Sequence, residues 1–235
     1  MIPDYLRTII KTIEGASYEA WVVGGSVRDL LMNREVNDWD LTTNARPEKI
    51  QELFADSVYE NNFGTVIVKV KEGEETVATV EVTTYRSEQG YSDRRHPDEV
   101  RFEDELDKDL ARRDFTVNAL ALRPINPPLK ADPHHKVVEI GGEAFELVDY
   151  FGGEQDIRQR ILRAVGEPMD RFKEDALRMM RAVRFLAQLD FQLLPKTERA
   201  IAKMPGVNKF IAAERSHVEL VKVLASVNPY AGLMK

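Results

Sequence analysis

The stretch AWVVGGSVRDLLMNREVNDWDL, residues 20–41, indicates how the first part of this chain folds. It opens with four apolar residues that end at two glycines, a pattern typical of a buried strand. Residues 27–32 predict a short helix and residues 38–41 predict a second strand. The stretch therefore predicts a strand, a glycine turn, a helix and another strand in close succession.

Strands and helices are also predicted on both sides of this stretch. Upstream, apolar residues recur at i, i+3, i+4 and i+7 from Leu6, which predicts an amphipathic helix. Downstream, a helix is predicted to begin at Pro47, a residue favoured at the first helical position. Runs rich in Val and Thr predict a hairpin within residues 65–85, and a second hairpin is predicted within residues 137–148.

The remaining segments complete the prediction of fold class. Residues 87–110 are polar, without apolar periodicity, and most of them are predicted to form a mobile loop. Beyond residue 155 the pattern is helical, with apolar residues at helical spacing from Phe172 to Ala187. We therefore expect an α+β chain, with a mixed β-sheet domain over residues 1–153 and an all-helical domain over residues 154–235.

Composition excludes several classes of protein. Among 235 residues, 43% are hydrophobic and 31% charged, which excludes a fully disordered chain. The sequence has no cysteine, so disulfide scaffolds, thiolate zinc sites, iron–sulfur clusters and cysteine nucleophiles are excluded. The amphipathic start does not resemble a signal peptide, and no apolar run approaches the length of a membrane span. We expect a soluble, cytoplasmic protein.

The charge is unevenly distributed. The whole chain has 33 basic and 40 acidic residues, a net charge of −7. Residues 158–184 hold eight basic and four acidic residues, which gives this segment +4 and leaves −11 for the rest. Such a distribution favours a specific anionic ligand over nonspecific nucleic-acid binding. Charge alone equally allows an ordinary solvated face.

Two aspartates in the second predicted strand indicate metal chemistry. Side chains alternate along a strand, so Asp38 and Asp40 are expected on one face, with Trp39 buried behind them. A cation between the carboxylates would relieve their repulsion, and Mg²⁺ suits carboxylates together with substrate phosphates. An isolated Asp-x-Asp is more often part of a surface turn, so this interpretation depends on the residues that precede it.

Those preceding residues suit a phosphate group. Gly24 and Gly25 allow backbone N–H groups to approach an anion at the turn from strand to helix. Arg28 follows one helical turn later and can neutralise a phosphate oxygen. A third carboxylate is offered by Glu81, which stands between valines in a predicted strand and which we expect on an otherwise apolar face.

These residues resemble a known family. Residues 24–31 (GGSVRDLL) with residues 38–40 (DWD) resemble the first motif of the DNA polymerase beta-like nucleotidyltransferases. The closer resemblance is to class II tRNA CCA-adding enzymes and bacterial poly(A) polymerases. Residues 112–119 (RRDFTVNA) are similar to that family's ribose-recognition motif, residues 174–178 (EDALR) to its base-selecting helix, and residues 151–157 (FGGEQDI) to its connector between head and neck.

The resemblance implies a nucleotidyltransferase head followed by an all-helical neck. It implies transfer of CMP and AMP from CTP and ATP to the 3′ end of tRNA without a template, with Mg²⁺ as cofactor and no membrane partner. Asp38 and Asp40 would bind the metal and, with Glu81, form the catalytic set. The nucleotide-binding residues implied are Gly24, Gly25, Arg28, Arg113, Asp114, Asn118, Asp175, Arg178, Arg181 and Arg184.

Base selection is the role that the resemblance gives to Asp175 and Arg178. The two residues are three apart, so on a helix they share a face, where a carboxylate and a guanidinium can read a base edge. Without the other motifs, an ordinary ion pair would be the simpler interpretation. Residues 90–97 resemble the family's flexible loop at full length, which implies competence to add A. We expect His96, His134 and His135 to be exposed to solvent rather than to bind a metal.

The length of the chain departs from the family pattern. Members continue well beyond 235 residues, so the resemblance leaves open a fragment or a compact variant. Alternatives to full CCA addition are A-only, CC-only or poly(A) addition, or a nucleotide- or RNA-binding fragment inactive without C-terminal domains. Residues 124–143 are longer than the corresponding family hairpin and have no assigned function. The sequence does not indicate the oligomeric state.

Overall fold

The computed structural model describes residues 1–60, 63–92, 97–125, 129, 131–204 and 211–234. The chain forms two compact units. The first unit comprises Met1–Ser87, Val100–Arg112 and Asn118–Tyr150, and the second comprises Glu88–Glu99, Arg113–Val117 and Phe151–Lys235. Each unit thus combines segments that are separated in sequence.

The strands of the described residues form one large sheet and two small ones. They are β1 (Ala20–Val23), β2 (Asp40–Thr43), β3 (Ser57–Tyr59), β4 (Thr65–Glu72), β5 (Glu75–Thr84), β6 (Arg86–Gln89), β7 (Glu99–Phe102), β8 (Ala121–Pro124), β9 (His135–Ile140), β10 (Glu143–Val148), β11 (Ile161–Leu162) and β12 (Gln192–Leu193). The large sheet has the order β3-β4-β5-β2-β1-β8-β10-β9, and β11–β12 and β6–β7 form two-stranded sheets. Within the large sheet the pair β2–β5 is parallel, which makes the sheet mixed as predicted.

The helices follow the apolar periodicity of the sequence. The helix predicted from Leu6 is observed with its apolar face buried, and the helix predicted at Pro47 begins there. No helix in the described part of the chain has the length and hydrophobicity needed to cross a bilayer. The helices are α1 (Asp4–Gly15), α2 (Gly25–Leu31), α3 (Pro47–Leu53), α4 (Leu106–Ala111), α5 (Gly153–Gln159), α6 (Pro168–Glu174), α7 (Leu177–Leu189), α8 (Pro195–Ala202), α9 (Ala213–Leu224) and α10 (Pro229–Leu233).

The opening stretch folds as predicted, within small shifts of the element ends. β1 is buried along its whole length, since it lies between β2 and β8 in the sheet and α1 and α2 pack against it. The helix begins at Gly25, two residues earlier than predicted, and β2 begins at Asp40 rather than at residue 38. Both predicted hairpins are present, as β4–β5 and β9–β10.

Two regions differ from their predicted structure. The prediction that most of residues 87–110 form a mobile loop is wrong, because the described part of this segment contains most of β6, all of β7 and most of α4. In the described residues beyond residue 155, the helical pattern is interrupted by the short parallel ladder β11–β12, which joins residues 31 apart in sequence. Two-residue strands of this kind leave no periodicity for a sequence pattern to detect.

Candidate functional site

The three predicted catalytic carboxylates lie on or next to two neighbouring strands of the first unit. β2 and β5 run parallel in a register that places Asp40 directly beside Glu81. Asp38 lies just before β2 and is exposed, whereas Trp39 between the two aspartates is only 7% exposed. This alternation is the one expected of extended backbone.

The electrostatics of Glu81 reflect this crowding of acidic groups. Partial burial raises the pKa of Glu81, and the negative charges of Asp40, Glu60 and Asp38 raise it further. Glu60, immediately after β3, was missed by sequence reasoning because it belongs to no motif that the sequence displays. The charges of three other carboxylates therefore act on Glu81, which makes the potential at this position negative.

The expected surroundings of Glu81 need correction. Side chains of β5 alternate, so Glu81 shares its face with Thr79 and Thr83, while Val80 and Val82 are buried on the other face. The face that carries Glu81 is therefore polar rather than apolar. Side chains alternate between the two faces of a strand, so a charged residue between two valines is expected in any half-buried strand. The proximity of Glu81 to the aspartates follows from the register between β5 and β2.

The donor set suits a hard divalent cation that also binds phosphate. Asp38 and Asp40 provide carboxylate oxygens, the ligand type that Mg²⁺ prefers. Within the described residues, no three His, Cys, Asp or Glu side chains converge closely enough to hold a metal ion. Two protein carboxylates supplemented by substrate phosphates fit both observations, because Mg²⁺ is commonly bound through few protein ligands.

The predicted phosphate-binding residues of the first unit are also clustered. Gly24 has φ 77°, a conformation that favours glycine, and precedes α2. A Cβ added to Gly25 would lie 3.4 Å from Nη2 of Arg28, at van der Waals contact, so the guanidinium packs directly beside this glycine. Arg28 is 8% exposed and donates from Nη1 to Oδ1 of Asn118 at 2.8 Å. The cluster holds a cationic group in a fixed orientation.

In the second unit, Asp114 is held by an arginine and by its own backbone. Nε of Arg181 donates to Oδ2 of Asp114 at 2.7 Å, and the N–H of Phe115 donates to Oδ1 at 2.8 Å. The charge of Asp114 raises the pKa of Arg181. Asp114 is 8% exposed, and its neighbour Arg113 is half-buried. Two of the predicted nucleotide-binding residues therefore bind each other directly.

The prediction that Asp175 and Arg178 share a helical face is wrong. Asp175 follows the end of α6 with an extended φ of −133°, and Arg178 lies in the first turn of α7. Oδ1 of Asp175 accepts the N–H of Leu177 at 2.9 Å, so the side chain caps the break between the helices. Arg178 donates to Oε2 of Glu174 at 2.8 Å.

Helix α9 contributes two partners that the sequence did not reveal. Nη2 of Arg215 lies 3.4 Å from Oδ2 of Asp175, and Nη1 of Arg184 donates to Oε1 of Glu219 at 3.0 Å. Glu219 is 5% exposed and Arg184 is 8% exposed, so this ion pair is buried. The partners are 35 and 40 residues apart in sequence, a separation at which no local pattern links them.

The resemblance to a flexible loop falls partly on residues 93–96, which include His96 and lie outside the described residues. In the described part, the hydroxyl of Tyr91 donates to Oε2 of Glu88 at 2.5 Å. Burial and the charge of Glu88 raise the pKa of Tyr91. The tyrosine therefore remains a neutral hydrogen-bond donor at physiological pH.

The two neighbouring histidines differ in exposure. His134 is exposed as predicted, but the prediction for His135 is wrong because its side chain is only 2% exposed. Nδ1 of His135 lies 2.7 Å from Oε1 of Glu146, which is itself fully buried. The hairpin β9–β10 brings the two residues together across its strands.

Comparison with known proteins identifies the family. The Poly A polymerase head domain matches residues 20–163, which include the carboxylates, the glycine turn and the Arg113–Asp114 pair. The chain belongs to the Poly A polymerase head domain family. The family assignment confirms the resemblance inferred from the motifs.

Similar members of this family are CCA-adding enzymes. The CCA-adding enzyme of Lactobacillus helveticus is 48% identical over 216 residues, covering 92% of this chain and 48% of that enzyme. The structure of the Bacillus stearothermophilus CCA-adding enzyme in complex with CTP matches with a TM-score of 0.77 and 37% identity, over 97% of this chain and 50% of that one. The Thermotoga maritima enzyme complexed with tRNA_CCA matches with a TM-score of 0.74 and 26% identity, over 100% of this chain and 50% of that one. The chain spans about half the length of the relatives it matches.

Proposed function

We propose that this chain transfers CMP and AMP from CTP and ATP to the 3′ end of tRNA, as a CCA tRNA nucleotidyltransferase. The observation that carries the proposal is the parallel register that places Asp40 beside Glu81, with Asp38 two residues earlier. Similarity to enzymes solved with CTP and with tRNA_CCA supports this choice of substrates. Because CTP, ATP and tRNA are cytoplasmic, we place the activity in the cytoplasm.

The reaction is attack by the RNA 3′-hydroxyl on the α-phosphate of the nucleotide, with pyrophosphate as the leaving group. Glu81 is the proposed base, because the register of β2 and β5 places its carboxylate position beside Asp40, where the attacking hydroxyl would be activated. Arg28, fixed by Asn118, is proposed to neutralise the triphosphate. Asp114 and Arg113 are proposed to bind the sugar, and Arg181 to orient Asp114.

Asp38 and Asp40 are the proposed ligands of Mg²⁺. When bound there, the metal would neutralise phosphate charge and favour ionisation of the attacking hydroxyl. The carboxylates hold the cation, and neighbouring Glu60 adds negative potential at Glu81. The proposal requires no further protein ligand, since phosphate oxygens complete the coordination of Mg²⁺ in many nucleotide sites.

The experiment that tests the function is nucleotide incorporation into defined tRNAs. Labelled CTP and ATP are supplied with Mg²⁺ to tRNA that ends before CCA, at CC or at CCA, and products are resolved on a denaturing gel. We expect addition of C, C and A followed by arrest. A ladder of A would identify a poly(A) polymerase. Arrest at CC, or use of only the CC-ending tRNA, would identify a partial adder. No product would indicate a binding fragment.

Base choice is expected to depend on Asp175 and Arg178. We expect Asp175→Ala and Arg178→Ala to lower the preference for the correct base about tenfold or more, because this carboxylate and guanidinium, although they do not share a helical face, are the groups proposed to read the base edge. The rate with the correct base should fall less than the preference does. Lys173→Ala is the control, since Lys173 is an exposed cation on α6. Unchanged preference for CTP and ATP in competition assays would contradict the proposed reading role.

A further inference from the structure

A buried aspartate in the second unit has no assigned role in the proposed reaction. Asp156, on α5, is 0% exposed. Its Oδ2 accepts from Oγ1 of Thr116 at 2.6 Å and from Nε of Arg163 at 2.9 Å, and its Oδ1 accepts from Nη2 of Arg163 at 2.9 Å. A fully buried carboxylate is tolerated only when such bonds compensate its lost hydration.

The two partners of Asp156 belong to two segments that are also joined by their backbones. The N–H of Thr116 donates to the carbonyl of Arg163 at 2.9 Å, and the N–H of Val165 donates to the carbonyl of Asp114 at 3.1 Å. Between these bonds, Phe115 and Ala164 form an antiparallel bridge. Asp156 therefore clamps residues 113–117 against residues 163–165 through side chains as well as main chain.

The clamped segment is the one that carries Asp114. Phe115 precedes Thr116 in this segment, and its ring packs edge-on against the ring of Phe185, with 5.7 Å between the ring centroids. Asp114 then bonds to Arg181 on α7, the helix that also carries Phe185. The backbone orientation of Asp114 is therefore set on one side by α7 and on the other side by the segment that Asp156 holds.

We propose that Asp156 is a positioning residue for recognition of the nucleotide sugar. It does not contact the sugar; it fixes residues 113–117 so that Asp114 presents an acceptor to the 2′-hydroxyl. The proposal rests on the proposed function, since it names the group that Asp114 reads. A planar guanidinium held by two carboxylate oxygens is a directional contact, which suits a positioning role better than a single flexible ion pair does.

The decisive variant is Asp156→Asn. Asparagine keeps the shape but offers one acceptor oxygen, and its amide hydrogens oppose the donors of Arg163. We expect the ratio of kcat/KM for CTP to that for dCTP to fall about tenfold, because loss of a charge-assisted contact loosens the segment. Amide hydrogen exchange at Thr116 and Val165 should accelerate. The control is Asp170→Asn, the same chemical change at an exposed position on α6.

Substitutions at Thr116 separate positioning from general stability. Thr116→Ser retains the hydroxyl and should preserve the CTP-to-dCTP ratio, whereas Thr116→Val should lower it severalfold. If Asp156→Asn fails to fold, the two Thr116 variants and Arg163→Lys test the same clamp with smaller perturbations. A folded Asp156→Asn protein with an unchanged ratio, or with equal losses for both nucleotides, would overturn the proposal.

Equilibrium binding separates this inference from the proposed function. CTP and dCTP affinities are measured without RNA, so the test does not need turnover. A chain that incorporates nothing but binds CTP more tightly than dCTP, with the difference reduced in Asp156→Asn, supports positioning while contradicting the enzymatic proposal. Equal affinities for CTP and dCTP in the unaltered chain would show that the chain does not recognise the 2′-hydroxyl, which would overturn the role proposed for Asp156.

Discussion

Asp40→Ala is expected to lower the single-turnover rate of nucleotide incorporation by about a thousandfold or more, since it removes one of two proposed metal ligands. Asp40 is half-buried at the start of β2, next to Glu81 in the parallel register. Its removal also takes away a negative charge that raises the pKa of Glu81. The variant thus loses a carboxylate from the donor set and weakens the proposed base.

The fold of the variant is expected to persist, because Val22, Val23 and Leu41 keep the pairing between β1 and β2. Asp40→Asn tests charge separately from shape, and we expect nearly the same loss of rate. Glu35→Ala is the matched control, an exposed acidic residue in the connection before β2. Incorporation is measured with saturating CTP and Mg²⁺, and folding by circular dichroism. Retention of more than about a tenth of the rate would exclude the two-carboxylate mechanism.

The features predictable from sequence are those that short spacings determine. The strand, glycine turn and helix of residues 20–31 depend on neighbours within one or two turns. The alternation of Asp38, Trp39 and Asp40 needs only extended backbone, and the structure has Trp39 buried as expected. The apolar surroundings predicted for Glu81 are wrong, and its position beside Asp40 follows from the register of β2 and β5 rather than from local hydrophobicity.

The features that the sequence could not predict arise from pairing across distance. The break at Asp175 interrupts a helical pattern that looks continuous, because the residue caps the following backbone instead of continuing the helix. Glu219 forms an ion pair with Arg184 from a separate helix. The buried side chain of His135 contacts the carboxylate of Glu146 on the opposite strand of its hairpin. In each case tertiary packing determines the surroundings of a polar side chain, and the periodicity of the sequence does not report such contacts.

Glu146→Ala is expected to destabilise the first unit by about 3 kcal/mol, the lower end of the cost of breaking a buried ion pair. Glu146 is fully buried, and both Nε and Nη2 of Arg123 lie 2.8 Å from its Oε2. The guanidinium of Arg123 also stacks over Trp21, 4.0 Å from the ring centroid. Truncation leaves this cation partly uncompensated, although Glu14 at 3.6 Å from Nη1 retains some of the attraction.

Both tryptophans of the chain, Trp21 and Trp39, belong to the first unit, so their fluorescence during urea unfolding reports on that unit. Glu139→Ala, at an exposed position on β9, should change the unfolding free energy by less than about 0.5 kcal/mol. The double variant Glu146→Leu with Arg123→Met should recover part of the loss, because it removes the stranded guanidinium and leaves only the partly buried Glu14 without its arginine. Recovery would mean that the cost of Glu146→Ala comes from the stranded guanidinium. If the double variant is as unstable as the single one, the cost of Glu146→Ala comes instead from altered packing around Trp21.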